Sequence, residues 1–177
     1  MRYFRLMQDT RWTNRVETEA VGEVQRREWN ASFQEGSSNH TAINLSIKSR
    51  PNVDYTDYLE RPVALVSDRM LEVFTLYHPG LIRRAAVLTD KARMSQETYW
   101  AIYPTAMDVL SPQTERHMDG SLKQIVLDRG KAELLPLFQL KEPRESVIIV
   151  NLALAESLLR RDFSGIQLVR LEQEQTI

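Results

Sequence analysis

Three histidines, one serine set between a strand and a helix, and one acidic-aromatic cluster are the groups in this chain whose chemistry invites a functional reading. The histidines are His40, His78 and His117. His117-Met118-Asp119 places two metal-type ligands close together, but a protein metal site takes three or four, and Asp119-Gly120 reads first as a turn. His78 precedes Pro79 at a predicted helix end, where positive charge complements the helix dipole. Ser67 stands where a nucleophile elbow would place its serine, but it lacks the flanking glycines of G-x-S-x-G and reads as a helix N-cap. Asp54, Asp57 and Glu60 surround Tyr55 and Tyr58. Such carboxylates have the types for an acid/base pair or a cation site, yet tyrosines interleaved with carboxylates suit a protein interface better. The doublets Arg83-Arg84 and Arg160-Arg161 lack the aromatic interleaving of a single-strand nucleic-acid groove. There is no cysteine, so thiolate nucleophiles, disulfides and zinc-thiolate sites are excluded. H-E-x-x-H, P-loop and G-x-G-x-x-G patterns are absent too. The expectation is a protein without catalytic residues, metal or cofactor.

The elements that must position these groups are clearest in VIIVNLALAESLLRRDFSGIQLVRL, residues Val147 to Leu171. Val147 to Val150 is an apolar, β-branched run that fits a buried strand. Asn151 can cap the helix that follows. Leu152, Ala155, Leu158 and Leu159 are expected on its buried face, with Glu156 and Arg160 elsewhere. Arg160 and Arg161 sit in the last turn, where the dipole favours cations. Gly165 supplies the turn into a strand from Ile166 to Leu171. The same grammar runs through Val63 to Val66, Ser67, a helix carrying Met70, Phe74 and Tyr77, then Pro79-Gly80 and a strand from Leu81 to Leu88. Val63 corresponds to Val147, Ser67 to Asn151, Glu72 to Glu156 and Gly80 to Gly165. This predicts a repeated strand–helix–strand unit.

Further strands are predicted at residues 2–7, at Ala42 to Lys48 (Ile43, Leu45 and Ile47 on one face), Glu97 to Tyr103, Leu122 to Leu127 and Pro136 to Leu140. Residues 8–41 resist assignment, because Trp12, Val16, Val21, Val24, Trp29 and Phe33 follow neither period; Gly36 to His40 reads as a loop. Ser49 to Pro62 is a connector, and the polar end after Leu171 is expected to fray. Strands outnumber helices too far for regular βαβ alternation. The expected fold is therefore α+β, a mixed and largely antiparallel sheet with two main helices.

At 177 residues the chain suits one domain with a proper core. A net charge of −1, with both signs mixed along the chain, argues against binding nucleic acid by phosphate neutralisation. No apolar run approaches the ~20 residues that span a bilayer, and MRYFRLMQDTR lacks a signal-peptide core. The expected location is cytoplasmic, with no membrane partner.

RPVALVSDRMLEVFTLY, YWAIYPTAMDVLS, QIVLD, PLFQL and VIIVNLALAESLLRRDFSGIQLVRLE together resemble the immunity protein eleven domain, a family of myxobacterial-type immunity proteins. The resemblance covers about residues 60 to 172 and the strand near Tyr3. It divides the domain (1–177) into a variable N-terminal part (1–60), an immunity-like α+β core (61–172) and a frayed tail (173–177). It implies a protein that neutralises the cognate toxin of a bacterial polymorphic toxin system by stoichiometric binding, and it brings no catalytic residue. A small-molecule- or peptide-binding regulatory domain is the alternative, marked by a deep apolar pocket. For the immunity reading, the expected partner-binding residues are Asp54, Tyr55, Asp57 and Tyr58 from the connector, with Trp12 and Trp29 from the unassigned N-terminal region. Tyrosine and tryptophan anchor interface centres.

Overall fold

The computed structural model describes residues 1–34, 41–131, 135–141 and 146–174; the loop expected at Gly36 to His40, and His40 with it, lie outside them. In chain order the elements are β1 (Tyr3–Gln8), α1 (Glu23–Gln34), β2 (Ile43–Ser46), β3 (Tyr58–Leu59), β4 (Leu65–Val66), α2 (Asp68–Tyr77), β5 (Ile82–Asp90) and β6 (Ser95–Tyr103). There follow β7 (Ala106–Met107), β8 (Glu115–Arg116), β9 (Leu122–Gln124), β10 (Val126–Leu127), β11 (Leu137–Leu140), β12 (Ile148–Asn151), α3 (Leu152–Arg160), β13 (Ile166–Arg170) and β14 (Glu172–Gln173). The fold is α+β. One five-stranded sheet has the order β13-β1-β12-β11-β7, and the other β2-β5-β6-β4-β3. Most pairings are antiparallel, but β2 with β5, β7 with β11 and β10 with β14 are parallel, so the sheets are mixed.

Each sheet contains a helix link of the same pairing pattern, central in the second sheet and at one edge of the first. In the second, β4 and β5 each pair antiparallel with β6 between them, and α2 links them. In the first, β12 and β13 each pair antiparallel with β1 between them, and α3 links them. Each helix thus crosses over between two parallel strands split by an antiparallel one, a split βαβ arrangement. The caps expected from sequence are present. Met70 N–H donates to Ser67 Oγ at 3.3 Å and Leu154 N–H to Asn151 Oδ1 at 2.9 Å.

Strand alternation sorts side chains among three cores. Phe4 and Leu6 of β1, Ile148 and Val150 of β12, and Val66 and Ile102 of the second sheet meet α2 and α3 in the central one. Tyr3, Val147 and Ile149 face the opposite way, under Val109, Leu122, Ile125 and Leu127. Ile43, Leu45, Ile47, Ala86, Leu88, Tyr99 and Ala101 form the third core, covered by Val16 and by Trp29 of α1. The run Val147 to Val150 is buried throughout because both of its faces are covered.

Several expectations need correction. There are three helices among the described residues, and α1 lies within the segment left unassigned. Leu159 is 65% exposed, while Leu154, Ala155, Ser157 and Leu158 are buried, so α3 is rotated from the face predicted. Glu172 and Gln173 are not frayed: they pair with Val126 and Leu127, and Glu174 N–H donates to the Leu127 carbonyl at 2.9 Å.

The two glycines matched by sequence also differ. Gly165 has φ +75°, and a Cβ there would meet Thr56 Cβ at 2.5 Å. Gly80 has no positive φ, and its nearest neighbour would be the His78 ring at 3.9 Å. Gly165→Ala should therefore destabilise by at least about 1–2 kcal/mol from the left-handed backbone alone, with displacement of Thr56 added. Thermal melting should fall by roughly 2–4 °C per kcal/mol. Gly80→Ala should melt close to wild type; equal effects at both positions would show the Thr56 contact to be unimportant.

Candidate functional site

Chain leaving β1 forms a strap, residues 9–19, that runs beside the connector of residues 49–62. Asp9 is buried and sets the first bend. Its Oδ1 accepts the Arg11 backbone N–H at 3.0 Å, an Asx-type turn. The Arg11 guanidinium closes on the same carboxylate, with Nε 3.0 Å from Oδ1 and Nη2 2.8 Å from Oδ2. Those side-chain bonds, then the backbone bond, hold the Asp9 carboxyl below its ordinary range.

Beyond the bend the strap is pinned at every few residues. Arg15 Nη1 donates to the Trp12 carbonyl at 2.9 Å, and Arg50 Nη1 to the Thr13 carbonyl at 3.4 Å. Asp54 N–H donates to the Asn14 carbonyl at 2.8 Å, and Val16 N–H to the Asp54 carbonyl at 2.9 Å. Glu17 then takes Lys48 at 3.1 Å, Arg50 at 2.9 Å and Arg15 at 3.8 Å. The Lys48 hydrogen bond, the largest influence, and the three cations outweigh desolvation and lower its pKa.

This framework presents Trp12, 39% exposed, at the apex of the strap. Trp12, Asp54, Asp9, Arg11, Thr13 and Asn14 line a broad, open depression of about 450 Å³. Of the six residues expected to bind a partner, only Trp12 and Asp54 are brought together there.

The other four face elsewhere. Tyr58 is fully buried (0% exposed) in the central core, and burial pushes its phenol far up. Trp29 is 8% exposed and packs under the second sheet. Both side chains are turned into a core, Tyr58 into the central one and Trp29 into the third. Tyr55 is half-buried against the same core, and burial raises its pKa.

Asp57 turns inward. Its Oδ1 accepts the Ser67 hydroxyl at 2.7 Å; its Oδ2 accepts the Ser164 N–H at 2.8 Å, the Ser164 hydroxyl at 3.0 Å and Arg69 at 3.2 Å. Burial desolvates this carboxylate and would raise its pKa, but the bonds from Ser67 and Ser164 and the Arg69 charge prevail, and the net shift is downward. Asp57 is thus a latch joining the α2 cap to the turn before β13. Glu60 takes a third direction, with Arg5 at 3.6 Å and the Gln8 N–H at 3.2 Å. The acidic connector is not one acidic surface.

The remaining chemical candidates sit in caps and turns. Ser67 caps α2 and donates to Asp57. His78 occupies the C-cap of α2, its Nε2 3.5 Å from Thr105 Oγ1. His117 closes a turn whose Gly120 N–H donates to its carbonyl at 2.9 Å, with Asp119 accepting from Ser121. No group of three or more metal-type ligands clusters among the described residues, and no helix there is long and apolar enough to cross a membrane.

Sequence reasoning missed the strap itself. Asp9 followed two residues later by Arg11 was a legible local signal for its first bend. The bridges of Arg15 to Asp54 and Thr18 to Ile47 had none. No family model matches the chain, and no curated protein does so either.

Proposed function

We propose that this protein is an immunity-type protein that neutralises a cognate bacterial toxin by stoichiometric binding in the cytoplasm. The observation that carries the reading is Trp12: a large aromatic side chain left substantially exposed on a strap whose backbone is fixed by Asp9, Arg15, Arg50 and Asp54. Aromatic residues held in advance of binding lose little conformational freedom on association, which is why they serve as interface anchors. The likeness to the immunity protein eleven domain points the same way. Occlusion needs no catalytic group and no cofactor; an interface of roughly 1,600 Å² is sufficient. The exposed Asp54 carboxylate beside Trp12 would favour encounter with a basic cleft.

On this reading the scaffold is a repeated strand–helix–strand unit with two main helices. The shared split βαβ order and the matching caps, Ser67 and Asn151, support the repeat. The third helix, α1, belongs to the N-terminal part that carries the strap.

The test is co-expression with a candidate toxin, sought first among the products of the neighbouring genes. Wild type should protect. Trp12→Ala, shown to be folded by unchanged melting, should bind at least about thirtyfold more weakly, corresponding to a hot spot of ~2 kcal/mol. Tyr58→Phe should protect fully, since the Tyr58 side chain is wholly buried. Undiminished protection by Trp12→Ala would move the interface elsewhere, and a wild type that neither binds nor protects would overturn the reading for that toxin.

A further inference from the structure

We infer that the depression beside Trp12 is a receptor site for an arginine side chain of the protein partner; this rests on the binding reading above and names the chemistry of the contact. Asp9 and Arg11 neutralise one another through their side-chain bonds. Arg15 is committed to the Trp12 carbonyl and to Glu17. Among the described residues the Asp54 carboxylate has no hydrogen-bond or ion-pair partner, although its backbone is fixed on both sides. Among the six residues that line the depression, the Asp54 charge is therefore the one not neutralised within the lining.

Trp12 supplies the second half of the site. Its ring is exposed, and among the described residues its indole N–H has no acceptor. An aromatic face and a free carboxylate lining one depression match a guanidinium, which can stack on an indole while its donors reach a carboxylate in a fork. A lysine ammonium is a compact, strongly hydrated point charge and gains less from such a pair. A metal ion would need further ligands that this lining does not offer. At about 450 Å³ the open depression has room for a guanidinium and its stem. The strap is held open by its own bonds, so the site exists before the partner arrives.

The test titrates the full-length protein with N-acetyl-arginine amide and, separately, N-acetyl-lysine amide, following the Trp12 indole N–H signal by NMR. A saturable shift with the arginine amide, several-fold weaker with the lysine amide, is expected. Asp54→Asn should weaken arginine-amide binding about tenfold, while leaving melting unchanged. Equal response to both amides, no saturable response, or indifference to Asp54→Asn would each overturn the inference. Co-expression of the wild type with the toxin separates the two claims. If wild type protects but binds no arginine amide at Trp12, the arginine site fails and the immunity reading stands. If the arginine amide binds as expected but the wild type binds no toxin, the site stands and the immunity reading falls.

Discussion

Phe74→Ala should remove about 3–5 kcal/mol of stability. Phe74 is fully buried (0% exposed) in the central core, where α2, α3 and both five-stranded sheets meet. Its ring is among the largest side chains enclosed there, and the neighbours come from rigid elements that can collapse only partly into the space left. Marginal stability of ~5–15 kcal/mol makes such a loss a large fraction of the whole. Urea unfolding should show a lower midpoint at an unchanged slope. Leu76→Ala is the internal control, since Leu76 lies two residues away on the exposed side of the same helix. It should change stability by no more than about 0.5 kcal/mol. Comparable losses at the two positions would mean that α2 does not bury the face described.

The buried face of α2 was legible because polar residues interrupt it: Asp68, Glu72 and Thr75 leave Met70 and Phe74 on one side. The helix in LALAESLLRR was legible as a helix but not in its rotation. Leucine and alanine occupy nearly all of its first turns, so several apolar faces were open, and packing against the sheets selected Leu154 and Leu158 over Leu159. Strand alternation at Ile43, Leu45 and Ile47 named one face, and that face is buried. Strands of two residues, such as β3, β7 and β14, are too short to carry any period. Helix α1 escaped because EVQRREWNASFQ holds only Val24, Trp29, Ala31 and Phe33 as apolar residues, and its packing shows chiefly in Trp29.

The site was less legible than the fold, for a physical reason. Trp12 and Trp29 are equal as sequence, both in an irregular apolar pattern. Which of them is exposed depends on the strap meeting the connector, and those bonds join residues about forty positions apart, such as Asn14 with Asp54. The connector's carboxylates look alike for the same reason. Asp54, Asp57 and Glu60 recur every three residues, but Asp57 and Glu60 are taken by different distant partners and Asp54 is held by its backbone alone. Residue type predicted that they would be used; only tertiary contacts decided which one stays free.

Asp57→Ala should destabilise by about 2–4 kcal/mol, because a carboxylate shielded from water is removed from several charge-assisted bonds at once. Its side chain is 13% exposed, and its loss leaves the Ser164 N–H without an acceptor and Ser67 without the partner of its hydroxyl. Arg69 is 62% exposed and returns to water, with its stack over Phe163 retained at 4.8 Å, so its share of the loss is small. Asp57→Asn should cost less, since the amide oxygen can still accept from Ser164. The pH dependence distinguishes the latch from simple packing. Asp57 is held below its ordinary value of 3.8 in the folded protein, so the unfolded chain takes up the proton first as acid is added. Its contribution is complete above the unfolded value and is lost as pH falls through the folded one. Wild type should therefore lose more stability than Asp57→Asn between about pH 5 and the acid limit, and the two unfolding midpoints should converge. Parallel curves across that range would mean that the carboxylate's charge adds nothing, and that Ser67 and Ser164 are held by their own turns.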